Sequence, residues 1–171
     1  MTQEEFIKIL DGEDYSYEIE GDKIIVTHDK GFTVDLKELT SLPPDVVFKN
    51  AGSVILKSLT FLPPGVEFRN GGHVSIFSLK SLLPGVVFEN NGVLYMDSLI
   101  SLPPGITFRN SGDVSLKSIT SIPNDVVFEN GMNVFLESIT GDWFVEWESN
   151  IEGIDSKRLL NLMISKGVFE R

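Results

Sequence analysis

The residues able to do chemistry are few. The chain has two histidines, His28 and His73, and no cysteine. Serine recurs at Ser58, Ser78, Ser98, Ser118 and Ser138. A serine nucleophile needs a base within hydrogen-bond reach. Both histidines fall in other units and other columns of the pattern described below. Counted on its period, His28 shares the Phe column of an incomplete first coil and His73 lies in a turn. This spacing predicts no serine hydrolase. No carboxylate stands at ligand spacing from either histidine, so no metal site is expected. The absence of cysteine removes thiolate nucleophiles, disulfides and cysteine-ligated metals. The paired acids Glu13–Asp14 and Glu146 with Glu148 read as solvated surface. The glycine pairs stand at corners rather than between a strand and a helix, so no phosphate loop is expected. The reading is a chain that is not an enzyme and takes no cofactor or metal.

The formal charge of -11 is unevenly placed. Residues 1–38 hold 11 acidic and 4 basic side chains, whereas residues 39–138 hold 8 and 6. A nucleic-acid binder carries a basic stripe, and none is visible. The nearly neutral middle also argues against a long acidic face imitating DNA. No window reaches the ~20 apolar residues of a membrane span, and the start, Met1-Thr2-Gln3-Glu4-Glu5, is acidic where a signal peptide is basic. The expectation is a protein of the cytoplasm of a bacterial host, with no direct contact to nucleic acid or membrane.

These residues sit on a repeat of 20 positions. Asn recurs at Asn50, Asn70, Asn90, Asn110 and Asn130, and Phe at Phe48, Phe68, Phe88, Phe108 and Phe128. Val34, Val54, Val74, Leu94, Val114 and Val134 share another column, two residues before Leu36, Leu56, Ile76, Met96, Leu116 and Leu136. Two segments per unit alternate apolar and polar, which predicts strands buried on one face. A third, as in Leu59-Thr60-Phe61-Leu62-Pro63-Pro64-Gly65, has apolar residues three apart and predicts a bend or a single helical turn. A unit this short cannot hold a βαβ crossover, but it can form one coil of a solenoid, stabilised only by its neighbours. The Asn column predicts a ladder whose amides bond one another along the coil axis.

The predicted fold is therefore mostly β: one solenoid domain over 1–171, with about five to six coils. Residues 1–32 form an acidic N-terminal cap, 33–140 the repeats and 141–171 a helical C-terminal cap. Open strand edges template aggregation unless covered. Thr2-x-x-Glu5 is a capping box ahead of Phe6, Ile7, Ile9 and Leu10, with Gly12 as a stop. Tyr15–Ile19 and Lys23–Val26 predict a hairpin around Gly21-Asp22. Asp155 predicts the start of a helix reaching about Lys166, with Ile154 and Leu159 at staple spacing. Trp143 and Trp147 are expected to seal the last coil.

The unit Ser58-Leu59-Thr60-Phe61-Leu62-Pro63-Pro64-Gly65-Val66-Glu67-Phe68-Arg69-Asn70-Gly71-Gly72 resembles repeats in uncharacterised proteins of bacteriophages and gut bacteria. The resemblance covers residues 33–140 and implies a solenoid of phage origin. Through its Leu-x-x-Leu-Pro step the unit also looks loosely like the leucine-rich repeats of bacterial effectors. It departs from them because its Asn follows a second strand. The resemblance carries over no activity and no site residue.

Surface columns separate the candidate faces. Val47/Lys49, Glu67/Arg69, Val87/Glu89, Thr107/Arg109 and Val127/Glu129 should point outward from one strand stack, with charge alternating through Glu89, Arg109 and Glu129. On the other stack the outward residues include Ile55, Phe77, Tyr95 and Phe135, which are large and should be exposed. A contiguous apolar patch suggests binding. These four are the expected partner-binding residues, for a protein partner or for self-association through an exposed sheet face. The functional expectation is a non-enzymatic protein-binding solenoid, a phage-encoded inhibitor of a host defence protein. The alternatives are a structural, oligomer-forming solenoid such as a virion component, and a nucleotide-binding sponge or cryptic enzyme.

Overall fold

A computed structural model describes residues 1–29, 33–138, 161 and 164. Helix α1 (Gln3–Gly12) leads into a hairpin of β1 (Tyr17–Glu20) and β2 (Lys23–Val26), followed by short strands, two per coil. One series is β4 (Val46–Phe48), β6 (Glu67–Phe68), β8 (Val87–Phe88), β10 (Thr107–Phe108) and β12 (Val127–Phe128). The other is β3 (Val34–Asp35), β5 (Val54–Ile55), β7 (Val74–Ser75), β9 (Leu94–Tyr95), β11 (Val114–Ser115) and β13 (Val134–Phe135). They stack as a seven-stranded sheet, β1-β2-β4-β6-β8-β10-β12, and a six-stranded sheet, β3-β5-β7-β9-β11-β13. All pairings are parallel except β1 with β2. The chain is a β-solenoid of 20-residue coils, as the repeat predicts.

Parallel register places like residues over like. Phe48, Phe68, Phe88, Phe108 and Phe128 are buried and stack with ring centroids 5.3, 5.4, 5.7 and 5.0 Å apart. This spacing is close to the ~4.8 Å between strands, so the rings follow the backbone with little offset. Val74, Ile76, Leu79, Leu82, Val66 and Phe68 show the six inward positions of one coil, all in the continuous core.

The coil has three sides rather than two strands and a helical turn. One turn lies at Lys57 and Ser58, where Leu59 N–H donates to Leu56 O at 3.3 Å, and a second at Pro64 and Gly65. Between the two turns the chain runs extended. Thr60 O accepts from Lys80 N–H at 3.1 Å, and Phe61 bridges Ser81 in the next coil. Leu59 and Leu62 are buried while Thr60 and Phe61 are exposed, so the three-residue apolar spacing comes from two outward residues between two inward ones.

The Asn ladder is present with a different bonding pattern from the one expected. The Asn70 Nδ2 donates to Gly52 O in the preceding coil at 2.8 Å and to Gly72 O and His73 O in its own at 3.1 and 3.3 Å. Asn110 repeats all three bonds, and Asn90 keeps the two to Gly72 O and Gly92 O. The amides thus clamp main-chain carbonyls of two coils rather than one another. The bend carbonyls, which no strand ladder reaches, draw the N–H groups away. The Oδ1 atoms of Asn70, Asn90 and Asn110 accept nothing among the described residues.

Glycine follows from contact at one corner and from φ at another. A Cβ on Gly92 would stand 2.7 Å from Gly72 C and His73 N of the coil beneath. Gly65, Gly85 and Gly105 instead take φ of 74°, 89° and 72°, and Asp45 holds the equivalent corner at 59°.

The first rung departs from the strict period. A 20-residue offset would set His28 beside Phe48, but Val26 pairs with Phe48. His28 therefore stands level with Asn50, not in the Phe column as expected. It is buried, its ring edge-on to Tyr15 at 4.9 Å between centroids. Strand β2 is thus both part of the hairpin and the first rung of the parallel ladder.

The capping box is present: Thr2 Oγ1 accepts from Glu5 N–H at 3.2 Å, and Glu5 Oε2 accepts from Thr2 N–H at 2.7 Å. Phe6 and Leu10 of α1 are buried in the solenoid core. At the other end Asn161 and Ile164 are helical and Ile164 is buried in the same core. The rest of the expected C-terminal helix, the Ile154–Leu159 pair, Trp143 and Trp147 lie outside the described residues.

Candidate partner-binding face

The outer face of the six-stranded sheet is built from two adjacent columns. One reads Asp35, Ile55, Ser75, Tyr95, Ser115, Phe135 in ladder order. The other reads Lys37, Lys57, Phe77, Asp97, Lys117, Glu137. Ile55, Phe77 and Tyr95 are half-buried and Phe135 is exposed at 43%. Phe77 and Tyr95 are in contact, with ring centroids 5.4 Å apart and planes tilted by 33°. Ile55 and Phe135 are each separated from Tyr95 by a serine rung, Ser75 and Ser115. The four expected residues therefore form one central ring pair with an outlier on either side, not a single sheet of contact. The serines act as notches between large residues. Ser115 is buried, and its hydroxyl donates to Asp97 Oδ1.

His73, read from sequence only as a turn residue, belongs to this cluster. Its ring centroid lies 6.3 Å from that of Tyr95. Its Nδ1 accepts from Val93 N–H at 2.9 Å. The same column repeats this device: Ser53 Oγ accepts from His73 N–H at 3.1 Å and Asp113 Oδ1 from Asn133 N–H at 2.8 Å. Each side chain satisfies an amide of the following coil at the bend. His73 thus stabilises the bend beside the aromatic pair.

The opposite sheet carries a ribbon of ion pairs. Glu67 meets Lys23 Nζ and Arg69 Nε, both at 2.7 Å. Arg69 also contacts Glu89, and Arg109 meets Glu129 at 2.8 Å and Glu89 at 3.8 Å. The alternation through Glu89, Arg109 and Glu129 is as expected, and Lys23 and Glu67 extend it. Burial by itself would raise the Glu67 carboxyl, but the hydrogen bonds from Lys23 and Arg69 outweigh it and hold the group below its ordinary range. Val47, expected to point into solvent on this side, is buried at 2% exposure, as is its rung partner Ile25 at 3%. A shallow groove of about 420 Å³ runs between the Pro84-Gly85 and Pro104-Gly105 corners, beside Glu89 and Arg109. Its flanking arginines, Arg69 and Arg109, are already ion-paired.

No group of three or more metal-ligating side chains occurs among the described residues. None of their helices is long and apolar enough to cross a membrane. Phe61 and Ile100 are exposed at 44% and 55% on the third side, where the three-residue apolar spacing predicts a bend or a single helical turn and no outward face.

Comparison with known proteins returned no matching family model, curated protein or solved structure.

Proposed function

We propose that this solenoid is a non-enzymatic protein-binding module, and that its contact surface is the face carrying Ile55, Phe77, Tyr95 and Phe135. The observation that supports this most is the contact between the Phe77 and Tyr95 rings on a sheet whose backbone is held on both sides. Aromatic anchors on a rigid scaffold lose little entropy on binding and commonly dominate interfaces. The notches at Ser75 and Ser115 suit a protein partner that inserts aliphatic side chains between the large residues. The ion-paired sheet is a poorer candidate, because its charges are neutralised along their own column. The resemblance of the repeat to bacteriophage proteins extends the proposal to an inhibitor of a host defence protein. The test replaces Phe77, Tyr95 and Phe135 together with Ser. Partner retention from host lysate and oligomer mass by light scattering are read beside a thermal melt. Loss of one purified partner, or of self-association, with the melt preserved supports this face. Unchanged retention and mass, with charge reversal in the acidic cap abolishing them, moves the interface to the cap.

A further inference from the structure

The chain closes two of its strand edges with side chains. At the first rung of the six-stranded sheet, Asp35 N–H donates to the Tyr15 hydroxyl oxygen at 2.9 Å, and Asp35 O lies 3.3 Å from the same hydroxyl. At the last rung of the seven-stranded sheet, Asn161 Oδ1 accepts from Phe128 N–H at 2.9 Å and Asn161 Nδ2 donates to Phe128 O at 2.8 Å. The remaining edge at the N-terminal end is β1, and it is finished differently.

The hydrogen-bond phase of the hairpin fixes which way β1 faces. Ile24 N–H donates to Asp45 O at 3.1 Å and Val26 O accepts from Lys49 N–H at 2.9 Å, so Ile24 and Val26 bond toward β4. Thr27 N–H donates to Ser16 O at 3.0 Å, so the alternate residues Lys23, Ile25 and Thr27 bond toward Glu20, Glu18 and Ser16. The residues between, Tyr17 and Ile19, therefore aim their N–H and C=O groups outward from the sheet. No group among the described residues bonds them there. Glu18, Ile19 and Glu20 are all exposed, Ile19 at 59%.

We infer that the outer edge of β1 is a strand-addition site for an extended segment of another protein in which basic and apolar residues alternate. The backbone groups of Tyr17 and Ile19 supply the ladder bonds. Basic side chains of the added strand stand beside Glu18 and Glu20, and its apolar ones stand beside Ile19 on the other face. A second copy of this chain fits badly, because pairing β1 with itself sets Glu18 and Glu20 against like charges. The surrounding cap has the same sign: residues 1–38 carry 11 acidic and 4 basic side chains. Glutamates on an edge also serve simply to repel strands. That reading requires that no strand binds, whereas a strand-addition site requires a basic one to bind and the backbone to be involved.

The experiment uses the full isotope-labelled chain and a blocked heptapeptide of alternating lysine and valine. A second peptide carries N-methyl groups on the edge that would face β1. Amide exchange is followed by NMR. In the free chain Tyr17 and Ile19 amides should exchange without protection while Glu18 is protected. The unmethylated peptide should slow Tyr17 and Ile19 by about tenfold or more. The methylated peptide should have no effect, and Glu18→Lys with Glu20→Lys should abolish the slowing. Equal binding of both peptides, no slowing at millimolar peptide, or protection of both amides in the free chain would overturn the inference.

Discussion

The Tyr15 hydroxyl lies 2.9 Å from the amide nitrogen of Asp35, across the open end of the six-stranded sheet. One phenol thereby occupies the place of a neighbouring strand at that rung. Tyr15→Phe removes it while keeping the ring against His28. The partly buried Asp35 amide then lacks a partner, at a cost of about 1–3 kcal/mol. Tyr17→Phe is the control, because among the described residues the Tyr17 hydroxyl meets only the exposed Asp11 carboxylate, at 3.1 Å. Urea denaturation should separate the two variants, with Asp35 amide exchange accelerated only in the first. Equal stabilities would mean that the Tyr15 bond contributes nothing.

Two glycines should fail for different reasons. Gly92→Ala drives a Cβ into the backbone of the coil below and should cost about 1–3 kcal/mol by overpacking. Gly85 has open space around its Cβ position but a φ of 89°. Gly85→Ala should cost about 1–2 kcal/mol, and Gly85→Asn less, since Asn tolerates the left-handed region. At Gly92 the Asn variant should be no better than the Ala variant. Denaturation midpoints of the four proteins check this, and a rescue by Asn at Gly92 would show that contact is not the constraint there.

The ion-pair ribbon predicts a pH dependence. The folded carboxyl of Glu67 is held below its unfolded value, which is about 4.3. Its contribution to stability is therefore complete above about pH 4.3 and is lost as pH falls through the folded value. Glu67→Gln should lower stability at neutral pH and flatten this part of the acid limb. Stability curves from pH 7 downward measure it, and curves that keep a constant separation at all pH would contradict the direction.

The inward columns were legible because each repeats one chemistry at one interval. Phe68 stands over Phe48 in the sequence as in the fold. Those columns place the candidate face too: if Val74 and Ile76 are inside, Ser75 and Phe77 are outside. Besides the third side of the coil, three features were not legible. The register of His28 depended on a pairing, Val26 with Phe48, that the period does not contain. The bond pattern of Asn70 depended on which bend carbonyls the strands leave unpaired. The burial of Val47 is a property of the assembled surface rather than of strand alternation. The grouping of His73 with Tyr95 had a signal in retrospect, since polar Ser53, Asp113 and Asn133 share the His73 column.

That column yields its own test. His73→Ser keeps an acceptor for Val93 N–H in the way that Ser53 serves His73 N–H. It should leave stability within about 0.5 kcal/mol, whereas His73→Val should lose about 0.5–1.5 kcal/mol. Chemical denaturation compares them. An equal loss in both variants would assign the effect to the ring beside Tyr95 rather than to the hydrogen bond.

The most direct measurement is the affinity of a purified partner for Tyr95→Ala, set beside Arg109→Ala on the opposite sheet. Tyr95 sits at the centre of the proposed face and touches Phe77. An anchor residue of this kind contributes about 2 kcal/mol or more, which is about 30-fold in Kd. Tyr95→Ala should weaken binding by at least that factor while the thermal melt remains cooperative, and Arg109→Ala should leave Kd within a few-fold. An unchanged Kd for Tyr95→Ala, with the loss appearing in Arg109→Ala instead, would contradict the assignment of the aromatic face.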